Sequence, residues 1–344
     1  MKIRRDSLVN KKLVASSLPL ALFVITLVFG SGSLAPAPSA NAATPADALR
    51  YLPASDAIAL IDVRRLLNQT LPRILAQDPA KLAQANAEVE KFKARTGIDP
   101  RSFDRVVLGT RYVYPTPNVT KLETVAIARG TFDAQALVAA GRIAANGKYR
   151  EEKYHGATII VISINDQMKL FGFWNMKVNE LAVCGLDGST LAIGDLGIVR
   201  AAIDAGKRGR ASADLVTLAT RDPNAVIGFG ANVPSALLAN LNVGNDTVAK
   251  DAKSIRQVYG SLGSIENDVS LMLVARTDSV DAAKNLGDTV EGLKQLGGIL
   301  VTRMQQPRKA LAQSALDNLK ITTRGNEVEI RTRVDAANLA SVIK

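Results

Sequence analysis

Near the C-terminus, the stretch "NLKITTRGNEVEIRTRVD" (318–335) restricts the fold more than any other. Leu319, Ile321, Val328 and Ile330 alternate with Lys320, Thr322, Glu327, Glu329 and Arg331. A period of two sends the two sets to opposite sides of a strand. Gly325-Asn326 supplies the positive φ angles of a tight hairpin turn. The hairpin therefore has one apolar and one wet face, the signature of an antiparallel sheet covered on one side. A second hairpin, "ELAVCGLDGSTLAIGD" (180–195), is expected to turn at Asp187-Gly188.

Around these hairpins a plan recurs. "ETVAIARG" (123–130) reads as a strand and "DAQALVAAGRIAA" (133–145) as the helix after it. Likewise "DVSLMLVAR" (268–276) precedes "SVDAAKNLGDTVEGLKQLG" (279–297), whose Ala283, Leu286, Val290 and Leu293 form an apolar stripe facing the sheet. "AIALIDV" (57–63) and "AVIGFGAN" (225–232) open the two plans as strands. The expected fold is α+β, two similar lobes from a diverged duplication, each a mostly antiparallel sheet with helices on one face. The domain division is 1–42 signal peptide, 43–210 N-terminal lobe and 211–344 C-terminal lobe.

The signal peptide rests on three features. Lys2, Arg4, Arg5, Lys11 and Lys12 form a basic front, Leu13–Phe29 an apolar run, and Ala40-Asn41-Ala42 a small-residue cleavage signal before Ala43. The expectation is an exported periplasmic or extracellular protein. The alternative is an inner-membrane anchor formed by residues 13–29, since 17 apolar-rich residues reach the short end of spanning length. Cleavage would lower the formal charge from +11 to +7, because the segment carries five basic residues and one acid. Export argues against nucleic acid as the partner of this basic chain, and contact with the membrane is expected only if the leader is retained. Cys184 is the sole cysteine, so no intrachain disulfide forms; it reads as buried packing.

Little in the chain reads as chemistry. His155, the single histidine, sits in "EEKYHGATIIVIS" between two strand-like stretches, so His155-Gly156 reads as a hairpin turn. Nucleophile-elbow, zinc-helix and phosphate-loop motifs are absent from the sequence. Asp78, Asp99, Asp195, Asp222, Asp278 and Asp335 stand where helices begin, and capping accounts for them. Neither catalytic residues, metal ligands nor a cofactor are expected. The candidate partner contacts are aromatic: Tyr112 and Tyr114 in "TRYVYPTPN", and Phe171, Phe173 and Trp174 in "KLFGFWNMK".

Several phrases resemble a loose group of exported bacterial proteins without an established activity. They are "YLPASDAIALIDVRRLL", with its Leu-Pro opening, "TGIDPRSFDRVVLGT", "RGTFDAQALVAAG" with its GxFD phrase, "EKYHGATIIVI" and "STLAIGDLGIVRAAID". The resemblance spans most of residues 50–205 and implies export and fold, with no site residue to carry over. The functional expectation is a non-enzymatic envelope or periplasmic binding or scaffold protein, contacting an envelope protein, a polymer or a lipid. The alternative is an exported hydrolase using converging carboxylates.

Overall fold

In the computed structural model, residues 46–96, 99–116, 119–170, 174–208, 212–238, 245–266 and 268–342 are described. The leader features at 1–42 and Phe171 and Phe173 lie outside them. Helix α1 (Ala46–Leu49) precedes β1 (Ala57–Asp62). Helix α2 (Val63–Arg65) passes through a π-helical segment (Leu66–Thr70) into α3 (Leu71–Ile74), then α4 (Pro79–Thr96). Pro72 has no N–H for the carbonyl four residues back, and the wider π turn takes up the mismatch just before it. Strands β2 (Phe103–Thr116) and β3 (Val119–Gly130) lead to α5 (Ala134–Ala144). Then come β4 (Tyr149–Tyr154), β5 (Ala157–Leu170), β6 (Trp174–Asp187), β7 (Thr190–Gly194) and α6 (Leu196–Arg208).

The second half repeats the opening. Helix α7 (Ala213–Ala219) precedes β8 (Ala225–Asn232), short α8 (Ser235–Leu238) and α9 (Asp246–Ala252), and the hairpin β9 (Ile255–Ile265) and β10 (Asp268–Thr277). Helices α10 (Val280–Thr302) and α11 (Arg308–Asp317) follow, then β11 (Lys320–Arg324), β12 (Glu327–Asp335) and α12 (Ala336–Val342).

All the strands join one twelve-stranded antiparallel sheet in the order β11-β12-β10-β9-β8-β1-β2-β3-β7-β6-β5-β4. The fold is α+β, as the alternating patterns indicated. Outward from the centre, β1-β2-β3-β7-β6 and β8-β9-β10-β12-β11 have the same connectivity, and the N-terminal half adds β5 and β4. Strand β1 pairs with β8 as it does with β2, placing Ile58 opposite Gly230 and Leu60 opposite Gly228. The two halves thus share a single sheet.

Helix cover is unequal. Over the central strands both faces are buried. One face packs Val107, Val125, Ile127, Ile159 and Cys184 against Ile198, Ala202 and Ile203 of α6 and Leu215 and Leu218 of α7. The other packs Val106, Leu108, Ala126 and Ala128 against Leu71, Ile74 and Ala85 of α3 and α4. One-sided cover, expected throughout, is met only over β12, β11 and the last residues of β10, where α10 packs Ala283 and Leu286 on Val328, whereas earlier in β10 Met272 and Val274 are buried in the first of these cores. The opposite face of those strands carries Arg276, Glu327, Glu329 and Arg331, tied by Arg276–Glu327 and Arg331–Glu329 ion pairs. Both outer strands, β4 and β11, carry charged side chains, which block further strand addition. The hairpin at 180–195 turns one residue later than expected. Asp187 pairs with Thr190, leaving Gly188-Ser189 as the loop, and the Asp187 carboxylate accepts from the Ser189 amide.

Gly228 fixes how α7 meets the central strands, because a Cβ there would lie 1.9 Å from the Ala219 carbonyl oxygen. Gly228→Ala is therefore expected to destabilise the protein by about 2 kcal/mol or more, read as a lower urea midpoint with unchanged slope.

Candidate functional site

Four places in the fold gather side chains capable of binding or chemistry. The first surrounds His155. Tyr154 pairs with Ala157, and His155 (φ 47°) and Gly156 (φ 86°) form the two-residue turn between β4 and β5, as the sequence indicated. The imidazole Nδ1 lies 2.8 Å from Asp204 Oδ1, and the Tyr154 hydroxyl donates to Asp204 Oδ2 at 3.0 Å. Lys207 donates to the His155 carbonyl. Both partners sit on α6, so these bonds clamp the hairpin tip to that helix. An adjoining open recess of about 410 Å³ is lined by Arg50, Tyr51, Gln135, His155 and Lys207. A His–Asp pair has the geometry of a general base, but the His155 side chain is 55% exposed. Among the described residues, no serine, threonine or cysteine side chain hydrogen-bonds it. Because asparagine followed by glycine suits this turn, His155→Asn is expected to change stability by less than about 0.5 kcal/mol. Gly156→Ala, forced to the same positive φ, should cost about 1 kcal/mol in chemical denaturation.

The second place brings two carboxylates together beside Arg111 and Lys121. Arg111 donates to Glu123 Oε2 through Nε (2.9 Å) and Nη2 (2.6 Å), and Lys121 to Oε1 at 3.1 Å. Although burial opposes it, these cations hold Glu123 below the usual carboxylate range. Asp195 is pushed up to about 6 by burial, although it accepts the Thr124 amide proton at 2.9 Å. Asp195 is thus held by strand β3. Among the other predicted caps, Asp78, Asp99 and Asp335 accept amide protons at the starts of their helical turns. Asp222 takes the Asn224 amide and the Ser261 hydroxyl, while Asp278 pairs with Arg256 and leaves Ser279 to cap α10.

A carboxyl whose pKa rises on folding gives the native state the extra proton between about pH 4 and 6, so its contribution to stability falls as pH rises through that window. Asp195→Asn removes this loss. Relative to wild type, the variant should gain on the order of 1–3 kcal/mol between pH 4 and pH 7 in paired denaturation curves.

The third place holds the predicted aromatic contacts. Tyr112 and Tyr114 lie two residues apart on β2, hence on one face. The Tyr112 hydroxyl donates to the Asn232 carbonyl at 3.1 Å and its amide to Asp56 Oδ2 at 2.8 Å. Burial, with Asp56 nearby, pushes that hydroxyl up to about 12. Tyr112 braces β2 against the end of β8, whereas Tyr114 is 46% exposed. Trp174 begins β6 opposite Leu170 on the backbone ladder. Cys184 is fully buried and its thiol pushed up to about 11 by that burial, so the reactive thiolate is suppressed.

The fourth place was not singled out by sequence. Helix α10 has 23 residues, about 34 Å, and is longer than the sheet can cover. Its first half packs as expected: Ala283 and Leu286 are buried and Val290 joins them. Gly287 allows close approach to β11, where a Cβ would lie 2.4 Å from Thr323 Oγ1. Leu293, expected to continue the buried stripe, is instead 47% exposed, and beyond it Leu296, Ile299 and Leu300 are 57%, 57% and 62% exposed. Helix α11 returns beside it, with Gly297 against Leu316, while Lys294 donates to the Leu319 carbonyl. The available signal was length. Strand β11, with five residues, spans about 17 Å, half the helix that lies along it.

No protein-family model and no curated protein sequence matches the chain. Among solved structures, the chain is similar to TP0453 in crystal form III, with a TM-score of 0.44 and 11% identity, over 86% of this chain and 96% of that one. Crystal form IV of TP0453 gives a TM-score of 0.43 at 12% identity, over 86% and 95% of the two chains.

Proposed function

We propose that this chain is an exported binding or scaffold protein of the periplasm or cell envelope, working without a cofactor. Its contact surface is the second half of α10. The observation that supports this most is the exposure of Leu293, Leu296, Ile299 and Leu300 on one stretch of helix. Full burial of such a side chain from full exposure is worth about 1.5–3 kcal/mol, and these are roughly half exposed, so a partner that covers them gains about half that from each by apolar contact. Tyr114 offers a smaller, separate exposed surface. The basic front, apolar run and Ala40-Asn41-Ala42 site support export.

The test combines location and contact. Cell fractionation with N-terminal sequencing should recover a chain beginning at Ala43 outside the cytosol. A photo-reactive residue at position 296 should form adducts in living cells that one at Gln313, on α11, does not. Cytosolic protein, or equal labelling at both positions, would contradict the proposal.

A second reading, a hydrolase, is favoured by one observation: Glu123 and Asp195 are pushed in opposite directions, the arrangement that separates a base from an acid. It requires turnover of glycoside or ester substrates by the exported protein that Glu123→Gln and Asp195→Asn each reduce at least a hundredfold. Activity untouched by both substitutions would dismiss this pair.

A further inference from the structure

We infer that the α10–α11 hairpin docks on an anionic lipid surface. This rests on the reading of α10 as a contact surface and names what covers it. At 100° per residue, Leu293, Leu296, Ile299 and Leu300 fall within an arc of about 120°, a continuous aliphatic ridge along the outer half of the helix. Arg303, the helix C-cap, falls in the same arc.

Charge decides between occupants. From Gly292 to Leu316 the chain has no aspartate or glutamate, while Lys294, Arg303, Arg308 and Lys309 lie within that span. Arg303, Arg308 and Lys309 form no ion pair with any described residue, and residues 302–308, the turn between the helices, are all exposed. The ridge thus ends in cations free to meet negative charge.

A second copy packed parallel would oppose positive charge to positive charge, and one packed antiparallel would leave both cationic turns without an anionic partner on the ridge between Gly292 and Leu316. A protein groove is the weaker match as well. The ridge is convex and purely aliphatic, with no Phe, Tyr or Trp between 292 and 316, whereas protein hot spots favour aromatic anchors. An amphipathic helix with leucines on one side and Lys or Arg beside them suits the boundary between headgroups and acyl chains. The leucines would enter that boundary while Arg303, Arg308 and Lys309 meet anionic headgroups. No helix among the described residues is long and apolar enough to cross a membrane, so the contact lies in the plane of the surface.

The test is vesicle flotation of the protein isolated from the exported fraction. Phosphatidylcholine vesicles with about 30% phosphatidylglycerol should float it at low salt, and pure phosphatidylcholine vesicles should bind at least tenfold less. Arg303→Glu/Arg308→Glu/Lys309→Glu should lose at least about a hundredfold, since each cation lost near an anionic surface removes roughly fivefold and each new carboxylate is repelled. Leu296→Ser/Leu300→Ser should lose at least tenfold and shed the binding that survives high salt. Arg303, Arg308, Leu296 and Leu300 are exposed and Lys309 is half-buried, and unchanged unfolding curves establish that the variants fold. Equal binding to neutral vesicles, or full binding by either variant, overturns the proposal. So does a position-296 adduct with a protein when no vesicle binds, although the contact surface then stands. Failure of both adducts and flotation sinks the contact surface too.

Discussion

The pairing of β1 with β8 is the constraint on which the rest of the architecture depends. It converts two strand sets of equal connectivity into one sheet, and it leaves both cores incomplete in either half alone. On one face, Ile58, Val107 and Val125 from the first half share a core with Leu215, Tyr259 and Met272 from the second. On the other, Ile61 and Leu71 share one with Val226, Val269, Ala336 and Ala340. The register is specific because Gly228 and Gly230 stand opposite Leu60 and Ile58, and α7 lies over both glycines. A one-residue slip would turn every side chain of β8 to the wrong face. A polar bond spans the same seam: the Tyr112 hydroxyl donates to the Asn232 carbonyl, and Asn232 is held within the second half by accepting from Gln257.

How much of this was legible in the sequence follows from the range of each interaction. Hairpin turns are local, so His155-Gly156 and Gly325-Asn326 could be assigned from a few residues, and both stand at the turns. The turn after Asp187 shifted by one because its carboxylate binds the Ser189 amide and a register irregularity follows Gly185. Pairing of β1 with β8 joins residues some 170 positions apart, and nothing local marks it. Cover on both faces did leave a trace that one-sided reasoning passed over. "RVVL", "TVAIA" and "ATIIVI" are continuous apolar runs, which belong to strands buried on both faces. The final hairpin, with its clean alternation, is the exception and has one bare face.

The candidate sites divide in the same manner. Aspartates at helix starts are a local signal, and Asp78, Asp99 and Asp335 follow it, while Asp278 yields the cap to Ser279. Asp195 departs because the amide of Thr124, a residue on a neighbouring strand, reaches its carboxylate. Its burial and the proximity of Glu123 arise only once β3 and α6 pack. His155 acquires Asp204 and Tyr154 as partners through the docking of its hairpin on α6, which makes the cluster a clamp before it is anything else. The exposed half of α10 is a matter of lengths: an apolar stripe signals burial only as far as there is sheet to bury it.

The shared sheet requires that the halves behave as one body held at the β1–β8 seam. Residue-resolved hydrogen exchange under native conditions measures this directly. The ladder amides among residues 57–62 and 225–232 should exchange only through global unfolding, at the slowest rates in the protein, while those of 293–302 open far sooner. Seam amides that exchange faster than those of the central residues of β5 or β12 would mean that the halves separate before they unfold, and would contradict it.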